Sequence, residues 1–146
     1  MTQLIRDLIL ANAENILATR ISYTYRGRGN GSYDWIGMLM ECVSNTTGKP
    51  VADETKDYLR DYTVMDAEEL MFSWGLTLIP SKDAREGDIL IMQSHGHVYG
   101  GVMAARCGHF ENHDECQIIA TSGALPVSRR WLRKAGRDAA RVYRIS

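Results

Sequence analysis

The chain has 146 residues, 45% of them hydrophobic and 24% charged, with a formal net charge of -1. This is the size of one domain, residues 1–146, long enough to bury a continuous core. The even charge balance excludes bulk electrostatic binding to nucleic acid, and no stretch approaches the ~20 apolar residues of a membrane span. Arg6 and Asp7 interrupt the first apolar run and exclude a conventional signal peptide, which predicts synthesis in the cytoplasm without an export signal. Three cysteines in such a chain argue against a disulfide scaffold.

From Thr2 to about Ala18, Ile5, Leu8, Ile9, Ala13, Ile16 and Leu17 recur at helical spacing and predict an amphipathic packing helix. The stretch Tyr23 to Leu39, Y-T-Y-R-G-R-G-N-G-S-Y-D-W-I-G-M-L, then runs a Gly-rich loop into an acidic residue and an apolar helical run. Gly27, Gly29 and Gly31 permit backbone conformations closed to other residues, Asp34 is placed to cap the helix, and Trp35 takes its first position. A residue there faces the positive end of the helix dipole. For a cysteine, that position lowers the thiol pKa and populates the thiolate.

The helix opened by Trp35 is predicted to run to about Ser44 and to end in the polar run Asn45, Thr46, Thr47 and Gly48. Asp53 to Tyr62 reads as a short, charged surface helix. Asp66 to Trp74 reads as another helix, with an acidic first turn and a stop at Gly75. Beyond Pro80 the period changes. Ile89 to Met92, His97 to Ala105, Gln117 to Thr121 and Arg141 to Ile145 are short apolar or β-rich runs between Gly, Asn and Asp, the signal of strands and hairpins. Val127 to Lys134 is expected as one helical excursion among them. The basic residues Arg129, Arg130, Arg133, Lys134, Arg137, Arg141 and Arg144 are read as a solvated helix face. Helices first and an antiparallel sheet afterwards make the fold α+β.

These landmarks resemble, in order, the NlpC/p60 family of papain-like peptidoglycan endopeptidases, in particular its short phage tail-type members. The family's opening resembles P-Y-x-W-G-G followed by D-C-S-G-L-V, with the cysteine as nucleophile. Here Tyr23 precedes D-W-I-G-M-L, which matches at Asp34, Gly37 and the two apolar positions and carries Trp35 in the cysteine position. Glu86 to Met92 is similar to P-G-D-L-V-F-F. His97-Val98-Tyr99-Gly100-Gly101-Val102 is similar to H-V-G-I-Y, which carries the family's histidine, with His95 as the other candidate for that role. Ile118-Ile119-Ala120-Thr121 and Arg141-Val142 follow in the right order. The resemblance covers about Tyr23 to Ile145 and implies N-terminal helices packed on a C-terminal antiparallel sheet. It also implies a substrate cleft near Tyr23, Asp34 and Gly37.

The chemistry implied by the resemblance needs a thiolate, a histidine within hydrogen-bond reach and a third polar group orienting it. Indole is no substitute for the thiolate, so Trp35 marks an inactive nucleophile position. Ala120 offers no hydrogen bond, which leaves Thr121 or Ser122 for the third role. Cys42 lies roughly 10 Å along the helix from Trp35 by helix rise and reads as a small buried hydrophobe. A separate pattern, C-x-H-x3-H-x2-C, places Cys107, His109, His113 and Cys116 in a turn between two strands. No cofactor is expected; a structural zinc, a disulfide or a plain polar hairpin tip are the alternatives for that turn.

The resulting expectation is a catalytically degenerate domain that serves as a structural or interaction part of a phage or phage-like tail tip or baseplate hub. Other tail proteins, and cell-wall peptide as a second possibility, are its implied partners; nucleic acid and membrane are not. An active cell-wall hydrolase with an unrecognised site and a non-cutting cell-wall peptide-binding module are the competing readings.

Overall fold

The computed structural model describes residues 2–19, 22–29, 32–94, 96–107, 115–121, 128–133 and 141–145. Three α-helices, α1 (Thr2–Ala18), α2 (Trp35–Thr47) and α3 (Val64–Ser73), precede the main sheet. Between α1 and α2 lie three two-residue strands, β1 (Ser22–Tyr23), β2 (Arg28–Gly29) and β3 (Ser32–Tyr33), in the order β1-β3-β2. The main sheet contains β4 (Leu76–Ile79), β5 (Ile89–Ser94), β6 (His97–Cys107), β7 (Glu115–Ala120), β8 (Ser128–Arg133) and β9 (Arg141–Ile145). Its strand order is β4-β9-β5-β6-β7-β8, and every pairing is antiparallel.

Both faces of this sheet are apolar, which explains why the strands read as continuous hydrophobic runs. Ile89, Ile91, Val102, Ile119 and Tyr143 face the helices and meet Ile9 and Ala13 of α1, Ile36, Leu39 and Val43 of α2, and Met71 of α3. On the other face, Leu90, Met92, Met103, Ile118, Ala120 and Val142 form a second buried cluster with Ala84. The two clusters alternate along each strand, as the pleat requires.

Helix ends follow local chemistry. Asp34 caps α2 by accepting from the Gly37 N–H, and Gly48 closes it in the left-handed region at φ 74°. Thr63 and Asp66 form a reciprocal capping box at the start of α3. The sheet is tied internally by Arg144 of β9, whose guanidinium donates to both carboxylate oxygens of buried Asp88 at 2.9 and 2.8 Å.

Three expectations change. Residues 53–62 form no helix, because side chains take the backbone groups a helix would use: Asp53 accepts from its neighbour Glu54 N–H, Glu54 from Lys56 N–H and Asp57 from Leu59 N–H. The expected helical excursion at 127–134 is strand β8, paired with β7 along all of Ser128–Arg133, where the open edge of the sheet supplies a ladder that an isolated helix lacks. The basic cluster is consequently not one helix face: Arg141 pairs with Glu68 and Arg144 with Asp88, while Lys134 and Arg137 lie outside the described residues. Strand β4 was absent from the sequence expectation altogether; its short L-T-L-I run gains its partner only from β9 at the far end of the chain.

The turn before β5 depends on one glycine. Gly87 sits at φ 89°, and a Cβ there would collide with the carbonyl oxygen of Arg6 in α1. Gly87→Ala is therefore expected to lower unfolding free energy by at least about 2 kcal/mol, measured by urea denaturation. A change below ~0.5 kcal/mol would contradict this packing of α1 on the turn.

Candidate functional site

The site is built on the Asp34 carboxylate, which is fully buried. Its Oδ1 accepts from the Gly37 N–H and from Arg28 Nη1, each at 2.8 Å, and its Oδ2 accepts from the Arg26 N–H at 2.7 Å and from the Tyr58 hydroxyl. Both oxygens are thus fully engaged within the chain. Gly37 is equally internal: a Cβ there would collide with the Gly27 carbonyl oxygen, so its lack of a side chain lets the turn between β1 and β2 lie against the first turn of α2. Of the expected cleft residues, Asp34 and Gly37 therefore build the floor, and Tyr23 remains half-buried in β1. Burial, and then the charge of Asp34, raise the Tyr23 pKa.

Arg28 extends this network outward. Its Nη2 donates to Asp53 at 2.8 Å and to the Tyr58 hydroxyl at 2.9 Å, and its Nε lies 3.1 Å from Asp53 Oδ2. Burial acts to lower the guanidinium pKa, but the hydrogen bonds to Asp53 and Tyr58 and the charge of Asp34 outweigh it, so the pKa is raised. The Arg28 bonds hold the Asp53 pKa below the usual carboxylate range. Burial and the bond to Asp34 push the Tyr58 hydroxyl up.

Trp35 is 5% exposed. On one side its indole lies against β6, where a Cβ on Gly100 would stand 3.0 Å from Trp35 Cε3 and 2.9 Å from Leu39 Cδ1. On the other side lie the rings of Tyr58 and Tyr62, at centroid distances of 6.1 and 6.2 Å. These tyrosines belong to residues 52–62, an irregular strap between α2 and α3. Arg26 holds the strap, donating from Nη1 to the Glu54 carbonyl at 2.8 Å and from Nη2 to the Lys56 carbonyl at 2.7 Å. Trp74 Nε1 donates to the Ala52 carbonyl at 2.7 Å, and the Tyr62 hydroxyl donates to Glu54 at 2.5 Å.

The structure does not bring His97 to Trp35. His97 pairs with Ser94 at the β5 to β6 turn, is exposed, and lies roughly 10 Å of strand before Gly100. Alternation along β6 puts Val98, Gly100 and Val102 toward the helices and His97 on the other face. The residue facing the α2 N-terminus from this strand is Gly100. Thr121 follows the Gly101–Ala120 pair on the adjoining strand; alternation carries it to the face of Ile119, and it is buried. Trp35, Gly100 and Thr121 thus occupy neighbouring positions, and none supplies a thiol or an imidazole. Cys42 is buried within α2, its thiol pKa raised by burial and then by Glu41. Cys107 is set opposite Glu115, and Cys116 opposite Arg106. His95, His109, His113 and Ser122 lie outside the described residues, as do the side chains of Cys107 and Cys116, so the zinc and disulfide alternatives concern a turn outside the described residues.

Arg26, Arg28, Tyr58, Tyr62 and Gly100 were not singled out from the sequence. Tyr58 and Tyr62 stand four apart and were absorbed into the expected surface helix; the pairing of Gly100 with Trp35 had no sequence signal.

Two outcomes follow from this geometry. Trp35→Ala leaves a large void under the strap and is expected to destabilise the fold by about 3–5 kcal/mol in denaturant unfolding. A carboxylate with a depressed folded pKa contributes stability above its unfolded value near ~3.9 and loses it as pH falls through the lower folded value. Strap protection measured by amide exchange is therefore expected to fall in acid below about pH 4, and Asp53→Asn to flatten that fall; an unchanged profile in the variant would remove Asp53 from the linkage.

Neither a protein-family model nor a curated protein matches the sequence. Solved structures do. RipD of Mycobacterium tuberculosis, a non-catalytic NlpC/p60 domain protein adapted to peptidoglycan binding, matches with a TM-score of 0.59 and 14% identity over 97% of this chain and 98% of that one. The P60 domain of the antigen MAP1272c from M. avium paratuberculosis matches with a TM-score of 0.60 and 17% identity over 99% of this chain and 96% of that one. At these identities the likeness speaks to the fold, and the α+β layering and the antiparallel sheet agree with it: the chain has the papain-like NlpC/p60 fold.

Proposed function

We propose that the chain is a non-cutting domain of the NlpC/p60 fold that works by binding, with cell-wall peptide as its ligand class. One observation carries this reading: the helix N-terminus where a cysteine nucleophile would sit holds the buried indole of Trp35, faced across the sheet by Gly100. Amide hydrolysis by a thiolate and imidazole finds neither group there among the described residues. RipD, itself non-catalytic and adapted to peptidoglycan binding, supports the ligand class as a precedent for this fold without the cut.

Within that reading, the chain serves as a component of a phage or phage-like tail tip or baseplate hub, held in the virion by other tail proteins. This finer placement is supported by the resemblance to short tail-type members and by no residue chemistry. Tail genes on both sides of its own gene are the expected setting; an operon of cell-envelope genes would sink it.

Purified protein is expected to co-sediment with peptidoglycan sacculi and to release no soluble peptide from them. Trp35→Cys alone is also expected to release none, because the new thiol would face Gly100 and not a base. Peptide release by the native chain would overturn the non-cutting reading, and failure to sediment would overturn the ligand class.

A further inference from the structure

We propose that residues 52–62 are a detachable strap closing an aromatic groove at Trp35, with Arg26 as the clasp that keeps it shut. A peptide bearing free carboxylates would gain entry by competing for that clasp. The ligand part rests on the binding reading above; the clasp does not.

The strap contains no helix or strand, and its internal bonds are short-range, such as Tyr62 to Glu54 and Asp57 to Leu59 N–H. It can therefore keep its shape while leaving its seat. Many of its ties to the body lie at exposed or half-exposed atoms: Arg26 to two strap carbonyls, Tyr25 to Asp57 at 3.0 Å, and Arg28 to Asp53. Bonds of this kind each contribute modestly and open locally before the fold does. Lifting the whole strap also breaks the Tyr58 bonds to Asp34 and Arg28, the Trp74 bond to the Ala52 carbonyl and the Lys56 pairs with Asp66 and Glu69, but Asp34 retains the Arg28, Arg26 N–H and Gly37 N–H donors.

Arg26 is the unusual member of this set. Its φ of 59° is in the left-handed region, where glycine is cheaper than arginine. The strained backbone aims its guanidinium across the rings of Tyr25 and Tyr58, at 5.4 and 5.1 Å from their centroids, and onto the two strap carbonyls. No carboxylate pairs with Arg26 among the described residues. Neutral carbonyls are weaker acceptors than a carboxylate. A ligand carboxylate can consequently displace Glu54 and Lys56 from the clasp. The lifted strap then uncovers the indole of Trp35, with Tyr25 beside the opening as a stacking partner.

The test is amide exchange and limited trypsin digestion of Arg26→Gly, which relieves the left-handed φ while removing the clasp, with Arg26→Asn as a second variant. Exchange across residues 52–62, and cleavage after Lys56 or Arg60, should accelerate about tenfold, with α1, β5 and β6 unchanged. Unchanged strap exchange in both variants would overturn the proposal, and so would acceleration spread evenly over the whole chain. In the native protein, a soluble muropeptide with free carboxylates should speed strap exchange, and in Arg26→Gly, which has no clasp to compete for, adding it should bring no further acceleration. Slower strap exchange on binding would overturn the entry route. No binding at all, with the variant arm as expected, would discard the cell-wall ligand and leave the clasp standing.

Discussion

A single buried carboxylate, Asp34, joins three parts of the molecule that are separate in the chain. It caps α2, fixes the turn between β1 and β2 through the Arg26 N–H, and receives the Tyr58 hydroxyl from the strap, while Arg28 supplies the opposing charge. A buried ion pair costs desolvation that its own attraction does not always offset. Here the remaining donors of Arg28 reach Asp53 and Tyr58, and both oxygens of Asp34 are engaged, so the pair belongs to a satisfied network. Its negative charge also lies at the positive end of the α2 dipole. With its acceptors used internally, Asp34 positions Trp35 and the strap and offers little to a ligand.

Trp35 and Gly100 belong together physically. Close packing does not tolerate a large side chain at one position without room at its neighbour. The indole at the α2 N-terminus fits because the facing strand position carries no side chain and because Tyr58 and Tyr62 close over it from outside. A scaffold suited to presenting a nucleophile thereby becomes a packed aromatic layer. The groups left around it are ring faces, the exposed Arg26 guanidinium and the two strap carbonyls that accept from it.

Much of the fold was legible in advance because its signals are local. The 3.6-residue spacing from Thr2 to Ala18, the cap at Asp34, the acidic first turn near Asp66 and the β-rich runs after Pro80 each depend on neighbours a few positions away. Residues 53–62 and 128–133 misled because their fate is set at a distance, by Arg26 reaching strap carbonyls and by β7 offering an edge. His97 misled for a related reason. A motif in the right order still has to land on the right face of a strand, and one residue of register reverses the face.

The sequence by itself determined that an indole stands where a helix dipole would activate a thiol, since Asp34 and Trp35 are adjacent and their roles follow from cap geometry alone. Only the tertiary structure decided that Gly100 and not His97 faces that indole, and that a strap of charged and aromatic residues shuts over it. Those facts depend on strand alternation and on contacts between residues far apart in the chain, which no local pattern encodes.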